Sequence, residues 1–109
     1  MSFKVKSTAV FEKQTKTLSK KFPSVKNELG VLIQKLKEKP EQGTLIGKNC
    51  YKIRISIASK HKGKSGGARV ITNIVISNLS VYLLNIYDKS EKGSLTDKEL
   101  RELLNDIPE

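Results

Sequence analysis

The sequence predicts an α+β fold, with a small antiparallel-rich β-sheet, N-terminal helices packed on one face and a C-terminal helix. The main observation is a change of hydrophobic period, from helical spacing in residues 25–36 to alternation in residues 51–57 and back after Thr96. The 109 residues contain no internal repeat and no linker-like segment. We therefore expect a single domain that covers residues 1–109.

The N-terminal part predicts a strand and then a short helix. Phe3 and Val5 alternate with lysines, and the apolar residues 9–11 follow, which indicates a strand near an edge of the sheet. Residues 14–21 are predicted to form a short helix, because Pro23 interrupts the helical pattern directly afterwards.

A second helix is indicated more clearly by one continuous apolar face. Its members are Val25, Leu29, Leu32, Ile33 and Leu36. Pro40 is expected to end this helix. Residues 41–49 contain two glycines and are predicted to form a loop.

Residues 51–57 have the alternating pattern of a half-buried strand. Tyr51, Ile53 and Ile55 alternate with polar residues. Lys52 and Arg54 must therefore lie together on the face opposite the isoleucines. The polar, glycine-rich residues 59–67 are predicted to form an exposed loop.

The C-terminal half predicts a strand pair and a helix. Residues 70–77 and 81–87 are rich in β-formers and are expected to pair antiparallel in the centre of the sheet. Thr96 followed by Glu99 is the pattern of a capping box, and Leu95 with Leu100 that of a hydrophobic staple.

The charge of the chain is strongly positive and unevenly distributed. The formal net charge is +10, and residues 42–87 contain seven Lys and Arg but no Asp or Glu. A basic segment without acidic neighbours predicts an anionic partner. The alternative is that the acidic residues of the segment 88–109 fold over it and neutralise it.

Several function classes are excluded or disfavoured by composition. Cys50 and His61 are the only residues of their types, so an internal disulfide, a Cys-based zinc site and a two-histidine ribonuclease site are excluded within one chain. No carboxylate cluster suggests a magnesium site, and the P-loop pattern fails because Ala58 replaces its first glycine. No apolar run is long enough for a membrane span. We expect a cytoplasmic protein without metal or cofactor.

The basic residues of the strands form the candidate site. If neighbouring strands are in register, five cations converge on one surface: Lys52, Arg54, Lys64, Arg69 and Lys89. Such a cluster is suited to binding a phosphodiester and to stabilising the charge of a phosphorane transition state, which RNA reaches by attack of its own 2′-hydroxyl. The alternative is that these side chains only keep the surface soluble.

The same residues resemble a known family. Residues 51–54 read YKIR, residues 63–71 read GKSGGARVI and residues 81–84 read VYLL, and together with residues 10–14 they look like the HigB-like branch of the RelE/ParE toxin superfamily. The resemblance implies a toxin of a bacterial type II toxin–antitoxin module. It would cut mRNA in the ribosomal A site without a metal and be neutralised by a cognate antitoxin, HigA-like with a DNA-binding helix-turn-helix.

The resemblance also implies roles for individual residues. Arg69 would stabilise the charge of the transition state, Arg54 and Lys64 would clamp phosphates, and Lys89 or Lys52 would support or protonate the leaving group. RNA contacts are expected from a further set of residues: Lys60, His61, Lys62 and Tyr87.

The chain departs from the family pattern after Arg69. Thr72 and Asn73 stand where relatives often have tyrosines that stack on a base, and Tyr87 is the replacement available in this chain. This departure keeps two alternatives open, a ParE-like inhibitor of DNA gyrase and an inactive relic that only binds an antitoxin.

Overall fold

A computed structural model describes residues 2–59 and 67–107. Its elements are β1 (Lys4–Ser7), α1 (Ala9–Lys21), α2 (Val25–Glu38), β2 (Thr44–Gly47), β3 (Cys50–Ile55), β4 (Ala68–Val75), β5 (Ser80–Asp88) and α3 (Asp97–Leu104), with a 3-10 turn (Ile76–Asn78) between β4 and β5. The five strands form one sheet in the order β1-β5-β4-β3-β2. The predicted α+β class is confirmed.

The sheet is antiparallel except at one edge. β2, β3, β4 and β5 pair antiparallel in succession, whereas β1 pairs parallel with β5. The strand predicted at the N terminus therefore lies at an edge as expected. The pair β4 and β5 is central, because its members are flanked by β3 and β1.

The helices pack on both faces of the sheet. α1 and α2 cover one face, where Phe11, Leu36 and Val81 belong to a larger apolar cluster. α3 lies on the opposite face, where Leu100 packs with Ile71 and Leu84. Because helices cover both faces of β4 and β5, the residues of these strands are buried almost throughout.

Two sequence-based element bounds were wrong. Helix α1 begins at Ala9, five residues earlier than predicted, because the Thr8 hydroxyl accepts a hydrogen bond from the Phe11 N–H (3.2 Å) and caps the helix. The predicted loop 41–49 contains strand β2, which pairs antiparallel with β3.

The hairpin between β2 and β3 explains the second error. Lys48 and Asn49 both have positive φ angles (52° and 60°), as a two-residue turn of type I′ requires. The buried Asn73 amide donates hydrogen bonds to the carbonyls of Lys48 (3.0 Å) and Asn49 (3.3 Å). A residue of β4 thus stabilises a turn whose own sequence is a weak hairpin signal.

The capping box of α3 is confirmed. The Thr96 hydroxyl accepts from the Glu99 N–H (3.1 Å), and the Glu99 carboxylate accepts from the Thr96 N–H (2.8 Å). We expect Thr96→Ala to lower the free energy of unfolding by about 1 kcal/mol, and Thr96→Ser to lower it by less. Urea denaturation of both variants tests this, and equal losses would contradict the role of the hydroxyl.

No helix within the described part of the chain is long and apolar enough to cross a membrane.

Candidate functional site

The candidate site lies on the sheet face that carries α3. Ile53 and Ile55 of β3 pack against the α1 and α2 side, so Lys52 and Arg54 project from the other face. Lys52 is half-buried and Arg54 is exposed. The predicted shared face of these two cations is confirmed.

The register of the central strands places Arg54, Arg69 and Tyr87 side by side. Arg54 is the Cα partner of Arg69 across β3 and β4, and Arg69 is the partner of Tyr87 across β4 and β5. Directly opposed residues of antiparallel strands have Cα atoms about 4.5–5.5 Å apart. We call this row of three residues the arginine row.

A second row runs parallel to the first. Thr44, Lys52, Ile71 and Asn85 are successive Cα partners across β2, β3, β4 and β5. Lys52 therefore lies two residues from Arg54 along β3, about 6.6 Å away at the usual rise of a strand. Three cations from two strands thus border one patch of surface.

Arg69 is the most buried of these cations, with 8% of its surface exposed. Its Nη1 donates a hydrogen bond to the carbonyl of Ala68 at 3.2 Å. Like charges that are directly opposed across strands destabilise a sheet by up to roughly 1 kcal/mol. An anion bound near both arginines would offset the repulsion between the two like charges.

Tyr87 is the member of the arginine row on β5, and it is nearly buried. It is 9% exposed, and burial raises the pKa of its hydroxyl, although the nearby Arg69 partly offsets this effect. Tyr87 therefore remains protonated at neutral pH. Its Oη has no hydrogen-bond partner among the described residues.

A β-bulge brings Tyr87 to this face. Ile71 opposes Asn85 and Thr72 opposes Leu83, so Leu84 is an extra residue in β5. A regular strand with Tyr82 and Leu84 on the α3 side would turn residue 87 to the opposite face. The bulge shifts this alternation by one residue and aligns Tyr87 with Arg69.

Of the remaining predicted site residues, the structure describes only Lys89. The backbone N–H of Lys89 donates to the carbonyl of Gly67 at 3.1 Å, which puts residue 89 next to the strand end that leads into Arg69. Lys60, His61, Lys62 and Lys64 lie outside the described residues. Their convergence on the site stays a prediction.

Thr72 and Asn73, the two departures from the family pattern, are not part of the arginine row. Thr72 is fully buried and is the partner of Tyr51, which packs against the α1 and α2 side. Asn73 holds the hairpin turn between β2 and β3. Neither residue replaces a stacking tyrosine, which leaves Tyr87 as the aromatic side chain beside Arg69.

Two acidic residues of the C-terminal segment are bonded to lysines outside the rows. The carboxylate of Glu91 contacts Lys21 (3.0 Å), and that of Glu99 contacts Lys92 (2.9 Å). The bond to Lys92 lowers the pKa of Glu99, so this carboxylate is ionised at neutral pH. These two carboxylates therefore do not neutralise Lys52 or Arg54.

Thr44 and Asn85 are further neighbours of the site that the sequence does not indicate. Thr44 lies in the segment predicted as a loop, and Asn85 faces α3 only because of the bulge. Among the residues that the structure describes, no three His, Cys, Asp or Glu side chains are grouped to hold a metal ion.

The fold of this chain is similar to that of proteins of known structure. No protein-family model matches the chain. Among solved structures, the fold is similar to that of a mutant of the Escherichia coli toxin RelE in the free state, with a TM-score of 0.67. The two chains are 16% identical, and the superposition covers 99% of this chain and 100% of the RelE chain. The chain therefore has a RelE-like fold over its whole length.

Proposed function

We propose that this protein is the toxin of a type II toxin–antitoxin module and cleaves mRNA in the ribosomal A site as a metal-independent endoribonuclease. It belongs, in this proposal, to the HigB-like branch and acts in the cytoplasm. Its cognate antitoxin is a HigA-like protein with a DNA-binding helix-turn-helix. The arginine row is the observation that supports the proposal, because Arg54 and Arg69 are directly opposed Cα partners and two guanidinium groups are well suited to bind one phosphodiester.

The proposed reaction needs charge stabilisation more than it needs a metal. The 2′-oxygen of the RNA bonds to phosphorus as its proton passes to solvent, and the bond from phosphorus to the 5′-oxygen breaks. Arg54 and Arg69 hold the oxygens of the phosphorane, where negative charge accumulates. Lys52 or Lys89 donates a proton to the departing 5′-oxygen.

Mapping mRNA 5′ ends in a purified translation reaction tests the proposal. We expect cuts in codon register on translated mRNA and none on the same RNA without ribosomes. Cuts on naked RNA would make the protein a free-standing ribonuclease. Intact mRNA together with accumulated cleaved DNA–gyrase complexes would favour the ParE-like alternative, and neither product would indicate an inactive antitoxin-binding relic.

The phosphate contacts also predict a salt dependence. Binding of single-stranded RNA through about four phosphates gives a slope of roughly −3 for log affinity against log salt concentration. We expect the double variant Lys52→Ala, Arg54→Ala to have a slope about 1.4 less steep, because two contacts are lost. Filter binding across a salt series measures this.

The matched control is a double variant of two exposed helix lysines, Lys20→Ala and Lys26→Ala, which loses the same charge away from both rows. An equal change of slope in this control would show that net charge, and not the site, sets the salt dependence.

A further inference from the structure

A cavity of about 440 Å³ lies between α1, the end of β5 and α3. It adjoins the arginine row, because Tyr87 borders both. Its apolar lining comes from Val10, Leu95 and Leu103, and its polar lining from Gln14 of α1, from β5, and from α3 and the residues on either side of it. The proposed RNA cleavage does not use this cavity.

Two buried polar atoms of the lining residues lack partners. The side-chain oxygen of Asn85 and the hydroxyl of Tyr87 have no hydrogen bond from any described residue, and their residues are 6% and 9% exposed. A buried polar atom without a partner destabilises the folded protein, and a ligand that supplies a donor would remove this cost. Asn85 and Tyr87 are two positions apart on one strand face, so one ligand group can reach both. Each of these oxygens can accept a hydrogen bond from a ligand donor.

The charges around the cavity favour a ligand whose hydrogen-bond donor group is positively charged. Glu102 lines the cavity from the last turn of α3, where the helix dipole is negative, and Asp106 lines it from just beyond the end of this helix. Lys92 is the one cation among the lining residues, and its ammonium is bonded to Glu99 at 2.9 Å. A cationic ligand therefore meets two further carboxylates, whereas a phosphate would be repelled by them.

We propose that this cavity binds the arginine side chain of a partner protein. A guanidinium group has five N–H donors in a planar fork, so it can bond the inner acceptors Asn85 and Tyr87 while it faces the outer carboxylates. It is more weakly hydrated than an ammonium group and enters a cavity at lower cost. The apolar lining residues cover the methylene groups of its stem.

The test compares two capped tripeptides, Ala-Arg-Ala and Ala-citrulline-Ala, which differ in charge but hardly in shape. Each is titrated into the ¹⁵N-labelled protein and followed by amide NMR. We expect the arginine peptide to shift the signals of residues 85, 87 and 103 with saturation, and to bind at least 10-fold more tightly than the citrulline peptide.

Variants locate the binding site. The double variant Glu102→Gln, Asp106→Asn changes only exposed carboxylates. It is expected to lower the affinity for the arginine peptide about 3- to 10-fold. Asn85→Leu is expected to lower this affinity further. Cooperative thermal unfolding of the variant shows that it is folded. The control Glu38→Gln, an exposed carboxylate at the end of α2, should leave binding unchanged.

Four results would overturn the proposal. These are absence of saturable shifts with the arginine peptide, equal binding of the citrulline peptide, equal binding of spermidine or of the matching lysine peptide, and tighter binding of adenosine monophosphate to the same residues. No ribosome or mRNA takes part, so these outcomes are independent of the proposed nuclease activity.

Discussion

Replacing Arg69 with alanine is expected to reduce the rate of mRNA cleavage on programmed ribosomes by 100-fold or more. Arg69 lies between Arg54 and Tyr87 in the strand register of the arginine row, and only 8% of the residue is exposed to water. Removal of one preorganised donor to an oxyanion costs about 10²–10³ in rate. Single-turnover cleavage measures the loss.

Two further variants separate chemistry from folding in this experiment. Arg69→Lys retains the charge but not the fork of donors, and we expect it to recover only part of the lost rate. Lys26→Ala removes one exposed charge from α2 and should cleave at the normal rate. Thermal unfolding of each variant shows whether the sheet is intact. An Arg69→Ala protein that is folded and fully active would refute the site.

Gly43→Ala is expected to lower the free energy of unfolding by at least about 2 kcal/mol. Gly43 has a φ angle of +82°, where a side chain is strained by roughly 1–2 kcal/mol. A Cβ atom there would also overlap the carbonyl oxygen of Lys52 and approach Ile53 Cα to 3.0 Å. Relief of this overlap must move β2 away from β3 and disturb the row that contains Thr44 and Lys52.

Gly30→Ala is the matched control for this prediction, with an effect of opposite sign. Gly30 lies within α2, and no atom lies within 4 Å of a Cβ atom added there. We expect this variant to be more stable by about 0.5–1 kcal/mol, because alanine loses less backbone entropy in a helix. Urea denaturation measures both variants. A Gly43→Ala protein as stable as the parent would contradict the close approach of the two strands.

The face that a residue occupies was predictable only where the strand alternates regularly. In β3, the alternation of isoleucines with Lys52 and Arg54 correctly predicts that both cations project from one face. In β5, an apolar run carries no such signal, because both of its faces are buried. Tyr87 was therefore assigned to the site through a resemblance, while its alignment with Arg69 depends on the bulge at Leu84.

The hairpin between β2 and β3 shows a second reason why a prediction from the sequence failed. Residues 41–49 contain two glycines and few strand formers, and local sequence alone indicates a loop. The amide of Asn73, more than twenty residues away, supplies the hydrogen bonds that stabilise the turn. The local sequence of a segment does not indicate a stabilising contact with a residue that is distant in the chain.

Local sequence patterns were sufficient to predict the α+β class, the apolar face of α2, the capping box of α3 and the shared face of Lys52 and Arg54. Each of these depends on spacing within one segment, where the periods of helix and strand fix which side chains lie together. The tertiary structure alone decided the strand register that opposes Arg54 to Arg69 and the bulge that adds Tyr87. Register depends on packing between segments, and a shift of one residue would exchange the two faces of the strand.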